Sequence, residues 1–410
     1  MKFKLLKSYY ACTIIAILLA NQNLIAFPTG VTELMMVGYI ILSSYHDQWR
    51  IKLHNTPVSQ YVWFGWIVPS VIIWVYSIAI QLWYGLSSDY LVHTTTYCVR
   101  SVLYTLFAVS NVKIHKEKTI DTFLHACTVS YIPAWTKFLG ENGISGSLAL
   151  LLSDNVFAEN IALEVHTLTY LLGFIFVYYF YQLVILKMPV LNKVIHSLVL
   201  TIAGMKRIVL ASLLFIVLLI IFLSLFKEKK CLHLINIAST AMVFVALGYV
   251  AVIKTGILEA ILQVLNIDDN FRFNFWNHFQ DRYSLSPLFP GFGISYAHRI
   301  LAHEWSQIQN LKNAANIHND ILGIYLGLGF LGSNIYWWMF FRKRYQILKK
   351  TISISSATFS TVISIFYFII MMTSNEGMME FPHSIYFLMI YMCAIYGKND
   401  EMKQQCMEER

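Results

Sequence analysis

An all-α fold built from about twelve membrane-spanning helices is what this chain of 410 residues predicts, and three observations carry that expectation. Hydrophobic residues make up 57% and charged residues only 13%, whereas a soluble surface needs about a quarter of its residues charged. Apolar runs recur along the whole length, each near the roughly twenty residues that cross about 30 Å of hydrocarbon. The basic residues between them concentrate on alternate connections, as they do when loops alternate between the two faces of a membrane.

Taken in order, the runs are 8–26, 30–45, 61–85, 94–111, 119–138, 162–186, 190–205, 207–226, 233–253, 317–341, 352–373 and 380–397. The first follows Lys2, Lys4 and Lys7 and so resembles a signal peptide, but no small-x-small cleavage site precedes the second run, so it reads as a retained helix. Arg50 and Lys52, Lys113 to Lys118, Lys187 and Lys193, Lys227 to Lys230, Arg342 to Lys350, and Lys398 to Arg410 occupy alternate connections. The positive-inside rule makes these cytoplasmic, and with them both termini. The net charge of +8 therefore reports orientation, and no nucleic-acid partner is expected. The six cysteines show no CxxC and no metal or disulfide spacing. No linker, repeat or soluble unit interrupts the chain, which reads as a single membrane domain, 1–410, with one larger external loop, 254–316, carrying short helices.

Nine basic residues run against the rule: Arg100, Lys137, Lys206, Arg207, Lys254, Arg272, Arg282, Arg299 and Lys312. Ordinary solvation or headgroup contact accounts for Lys137, Lys254 and Lys312. Lys206 and Arg207 sit between two apolar runs, where charge is expensive and usually functional; the alternative is one helix over 197–226 with snorkelling cations. A second external segment, 139–161, is read as a loop because of Gly140, Gly143 and Gly146.

Within the longer loop, Asp268-Asp269-Asn270 can cap a helix whose Phe271, Phe275 and Phe279 recur every fourth residue. Such a helix is expected on the membrane surface, holding Arg272 at headgroup depth beside Trp276. The guanidinium fork matches two phosphate oxygens, and the indole offers a flat face to a sugar or lipid. Pro287, Pro290, Gly291 and Gly293 then impose a tight turn. A second helical stretch, 296–313, carries His298, Arg299, His303 and Trp305; two histidines without further ligands at matching spacing make no metal site. Asn316 is expected to cap the tenth run, whose outward N-terminus suits an anion. His318-Asn319-Asp320 opens that run, and on the residues alone His318 is open to either a capping role or proton transfer. Gly323, Gly327, Gly329 and Gly332 read as helix-packing positions. Asn375-Glu376, Glu380 and His383 form a small polar cluster before the last run.

Arg272-x3-Trp276, Pro287-Leu288-Phe289 with the Gly291/Gly293 turn, and His318-Asn319-Asp320-x-Leu322 leading to Gly329-x2-Gly332 resemble the O-antigen polymerase and O-antigen ligase superfamily. Thr201 to Arg207 is similar to its cationic segment, and the resemblance covers about 200–341. It implies a GT-C-like glycosyltransferase architecture acting on the outer, periplasmic face of the bacterial cytoplasmic (inner) membrane, without nucleotide sugar, metal or cofactor. The donor and acceptor would be polyprenyl-diphosphate-linked oligosaccharides, with a chain-length regulator and a flippase as protein partners. The resemblance assigns the diphosphate to Arg207, Lys206 and Arg272, catalysis to His318 and Arg272, and glycan contact to Trp276, Asn319, Asp320 and Trp305. Pro290 departs from the pattern, where a glycine directly after the aromatic is commoner. Polymerisation is preferred over ligation to lipid A core, because the match is thin outside the loop. A lipid-linked glycan flippase is the reading from a different class.

Overall fold

A computed structural model gives the fold. It describes residues 2–21, 28, 30–46, 57–116, 118–152, 166–204, 206–265, 272–305, 317–373, 388 and 390–392. Among these residues all regular structure is helical and no strand occurs. The chain runs through α1 (Lys2–Asn21), α2 (Val31–His46), α3 (Pro57–Val62), a π-helical turn at Trp63–Ile67, α4 (Val68–Trp83), α5 (Ser88–His115), α6 (Lys118–Leu152), α7 (His166–Val184), α8 (Leu191–Ala203) and α9 (Arg207–Ser224). It continues as α10 (Glu228–Lys254), α11 (Ile257–Val264), α12 (Arg272–His278), α13 (Tyr296–Ile300), α14 (Asp320–Trp337), α15 (Arg344–Thr351) and α16 (Ile354–Met371). Helices occupy the first eleven apolar runs, and the twelfth lies almost wholly outside the described residues.

Among the described residues four stretches are long and apolar enough to cross a membrane: Ser59–Trp83, Arg207–Ser224, Lys229–Lys254 and Ile354–Met371. The last is 83% buried, against 28%, 33% and 33% for the others, so α16 lies inside the bundle. Its sequence suits that place. Ser356, Thr358, Ser360, Thr361 and Ser364 are all buried, and hydroxyls that bond back into their own helix, as Thr358 does to the Ile354 carbonyl and Thr361 to that of Ala357, leave room for close neighbours. α7, α9 and α10 pack around it.

Several local expectations are corrected. The described part of 139–161 is helical: α6 reaches Leu152 as two helices joined across a kink at Gly143 (φ 66°), and 153–161 lie outside the described residues. The single helix over 197–226 is excluded, because the chain turns at Gly204 between α8 and α9. There the Thr169 hydroxyl donates to the Gly204 carbonyl (3.3 Å) and crowds the position a Cβ would take. Of the aromatic stripe expected on the membrane surface, Phe279 is buried and Phe275 half-buried, while Phe271 and the cap Asp268-Asp269-Asn270 lie outside the described residues. Phe273 and Trp276 of α12 are buried in the protein.

The proline–glycine turn is the feature that organises the site. It does not stand out from the bundle but inserts into α14. At Gly329 the helix breaks (φ 68°, ψ −170°), and the turn supplies the missing pairing. The Phe292 amide donates to the Leu326 carbonyl (2.9 Å), the Gly293 amide to that of Gly327 (2.8 Å), and the Phe330 amide to that of Phe289 (2.9 Å). On the other flank the Tyr76 hydroxyl donates to the Pro290 carbonyl (2.5 Å), and the Ile294 amide donates to the Ser77 hydroxyl (3.2 Å). Gly329 lies nine residues beyond Asp320, about 14 Å along a helix at 1.5 Å per residue. Irregular backbone at such depth survives only where protein satisfies it, and here two helices do. Gly327 and Gly329 therefore admit loop backbone, not a neighbouring helix: a Cβ on Gly329 would stand 2.2 Å from the Phe289 oxygen, and one on Gly327 would stand 2.8 Å from the Ile294 Cα.

Candidate active site

α14 begins where α10 and α16 end, and three hydrogen bonds define that junction. The Asn319 side chain accepts from the Leu322 amide (3.0 Å), so Asn319 caps α14; the expected cap, Asn316, lies outside the described residues. The Asn319 amide nitrogen donates to the Tyr249 hydroxyl (3.3 Å), and that hydroxyl donates to the Met372 carbonyl (2.6 Å). Asn319 is buried, so its side chain is fully engaged in capping and in joining α14 to α10. This places it beneath the site, not on a glycan-contacting surface.

His318 precedes the cap with a left-handed backbone (φ 51°), a conformation costing a residue with a Cβ roughly 1–2 kcal/mol. It is held on both sides. The Asn319 cap follows it, and the buried Trp276 indole donates to the carbonyl of Ile317 just before it (2.9 Å). Trp276 thus positions the backbone of His318 and is not open to a sugar. The imidazole is exposed and lies against the Phe275 ring, with centroids 6.2 Å apart. Strain that neighbouring bonds over-determine is a recurrent property of functional positions.

Arg272 is half-buried at the first turn of α12, near enough to Tyr249 to act on it electrostatically. Among the described residues no carboxylate pairs with Arg272. Two other arginines of the loop are committed to carboxylates. Arg282 grips Glu304 through both terminal nitrogens (2.6 and 3.4 Å), with His278 also on Glu304 (3.1 Å), and Arg299 pairs with Asp89. Arg100 pairs with Glu33 (2.9 Å). Of the arginines that ran against the positive-inside rule, Arg100, Arg282 and Arg299 are thus held by carboxylates.

Lys206 is half-buried and immediately precedes α9; Arg207 is exposed and begins it. Gly173 fixes their level, because a Cβ there would meet both Val209 and Phe366 within 3 Å. The start of α9 is therefore beside the last turns of α16, the end whose Met372 carbonyl receives Tyr249. Lys206, Arg207, Arg272 and His318 share one end of the bundle. Asp320 stands in the first turn of α14, where a carboxylate suits the helix dipole. Trp305 ends a π-helical turn, Leu301–Trp305, and its side chain falls outside what the structure describes, as does the cluster Asn375, Glu376, Glu380 and His383.

The structure adds a partner set that sequence spacing did not suggest. Asp89, at the start of α5, receives Arg299 and the His303 ring nitrogen (3.1 Å), with His93 at 3.8 Å. Hydrogen bonds from His303 and Arg299 hold the Asp89 carboxyl below the usual carboxylate range, while burial and the Arg299 charge hold the His93 imidazole below its own. A carboxyl whose folded value is depressed stabilises the fold above its unfolded value, about 3.9, and loses that contribution as pH falls through the folded one. Thermal unfolding followed from pH 6 to pH 3 should show a drop in Tm below about pH 4 that Asp89→Asn flattens. An equally steep acid limb in the variant would assign the loss to other carboxyls.

Tyr249 is the other member unforeseen: one of 25 tyrosines in the chain, inside an apolar run, with no motif to mark it. No protein-family model, no curated protein and no solved structure matches the chain.

Proposed function

We propose that the chain is an integral-membrane glycosyltransferase that polymerises polyprenyl-diphosphate-linked oligosaccharide repeat units, as in O-antigen or capsular polysaccharide synthesis. It would have about twelve spans in a GT-C-like arrangement, both termini cytoplasmic, and its site on the outer face of the bacterial inner membrane. The observation carrying this reading is an exposed, strained His318, clamped front and back, at the same end of the bundle as Arg272 and the Lys206–Arg207 pair.

In the reaction an acceptor sugar hydroxyl attacks the anomeric carbon of the donor. A new C–O bond forms, the C–O bond to the diphosphate breaks, and the diphosphate departs with the electron pair. Arg272 and Arg207, with Lys206 beside it, neutralise that growing charge, guanidinium forks pairing with phosphate oxygens. His318 orients the acceptor hydroxyl and receives its proton. Asn319, Trp276 and Tyr249 hold His318 in place. Inversion at the anomeric carbon is expected by analogy with the resembled family alone.

One observation favours the transporter reading: α14 is broken within its length, as helices at transport sites are. The break is closed by the chain's own turn, however, since the Leu326 and Gly327 carbonyls already accept from Phe292 and Gly293. Lys206, Arg207, Arg272 and His318 also lie together at one end of the bundle. Both points favour the enzyme.

The test is complementation of a strain lacking the gene by Arg207→Ala, Arg272→Ala and His318→Ala, with surface polysaccharide read as a ladder on a gel. A single repeat on intact core supports the polymerase. Long chains stranded on the lipid carrier would instead indicate a ligase. An unchanged ladder from all three well-expressed variants would remove the site.

A further inference from the structure

α11 (Ile257–Val264) is built unlike the helices of the bundle. None of its residues is buried, yet six of the nine positions from Ile257 to Leu265 are large aliphatics: Ile257 is 51% exposed, Ile261 47%, Val264 86% and Leu265 60%, while Leu262 packs partly against the core together with Leu258. Placed on a helix at about 100° per residue, these residues sort into three faces. Ile257, Ile261, Val264 and Leu265, with Ala260, form one exposed apolar stripe. Leu258 and Leu262 lie on a flank, towards the body of the protein. Glu259 and Gln263 fall on the side opposite the stripe.

Apolar on one side, polar on the other, with protein along one edge, is the arrangement of a helix lying in a membrane–water interface. Its place in the chain agrees. α11 follows the end of α10, part of the stretch Lys229–Lys254 that is long and apolar enough to span, after a sharp turn at Gly256 (φ 74°). The exposed side of α10, with Phe244 at 69%, is itself apolar. α11 thus starts at the corner where such a span would leave the hydrocarbon.

We infer that α11 is an in-plane anchor whose Ile257–Ile261–Val264–Leu265 stripe is seated in the lipid at the hydrocarbon–headgroup boundary, with Glu259 and Gln263 turned to water. The partner is the bilayer itself, and the inference holds whatever reaction the site performs. It also links membrane to site: seven residue steps separate Leu265 from Arg272, so the depth of the anchor bounds the depth at which Arg272 works.

The test is nitroxide labelling of the full chain in nanodiscs of phosphatidylethanolamine and phosphatidylglycerol, with native cysteines replaced. Single labels go on Glu259→Cys, Ile261→Cys, Gln263→Cys and Val264→Cys, and relaxation by oxygen is compared with relaxation by a water-soluble nickel chelate. The expected result is oxygen-dominated relaxation at 261 and 264, at least threefold above the nickel effect, and the reverse at 259 and 263. Nickel access at 264 equal to that at 263 would put the helix in water and overturn the inference. So would spin–spin broadening at 264, which would show a second copy on the stripe, or protection from both relaxants, which would show another protein segment there. A label at 264 that abolishes the folded, monodisperse protein would equally contradict its open placement.

Discussion

Gly329→Ala is expected to destabilise the protein by about 3 kcal/mol or more, from a backbone conformation open essentially only to glycine and from overlap that neither partner can relieve. The methyl group would stand 2.2 Å from the Phe289 oxygen and 2.3 Å from the Pro290 carbonyl carbon. These atoms belong to a turn tied to Leu326 and Gly327 on one side and to Tyr76 and Ser77 on the other. Moving them breaks the bonds that close α14. Thermal unfolding of the detergent-solubilised protein is the measurement. The control is Gly248→Ala in α10, where a Cβ meets nothing within 4 Å and a helix-interior alanine should cost nothing or add up to about 1 kcal/mol. Equal Tm values for both variants and the parent would mean that the turn does not sit in the break of α14.

The second large effect separates stability from catalysis at one residue. His318→Gly should raise Tm, because glycine adopts φ 51° without the roughly 1–2 kcal/mol penalty, while repeat-unit polymerisation falls about 10²- to 10⁴-fold, the range lost with a positioned proton acceptor. His318→Ala should lose as much activity with little change in Tm, since alanine keeps the strain. The opposite pattern, a Gly variant that is less stable but fully active, would make the imidazole a structural prop and leave the proposed reaction without its base.

How far the sequence could be read follows from what each feature depends on. Apolar runs are legible because crossing hydrocarbon is a property of consecutive residues, and the break before Lys206 and Arg207 is legible because charge interrupts such a run. Which way an aromatic faces is not. In a membrane protein both lipid and core are apolar, so the phenylalanine spacing of 271–279 could not reveal that Phe273 and Phe279 point inward. Glycines suffer the same ambiguity: Gly327 and Gly329 signal close approach, but whether a helix or a loop approaches is decided by residues about 35 positions earlier. Asn319 and Asn316 are equally plausible caps from composition, and the choice fell to Tyr249, 70 residues away. The pairing of Asp89 with Arg299 spans 210 residues, beyond any local pattern.

The inserted turn also bears on how the protein is made. Residues 286–295 leave the ribosome before α14, and α4 long before either, so both surfaces that receive the turn cannot be present when it first emerges. An unbroken α14 would give the Leu326 and Gly327 carbonyls to amides four residues on; here they accept from Phe292 and Gly293. The turn and the break are two halves of one structure, so α14 cannot take its final shape until residues 286–295 are in place.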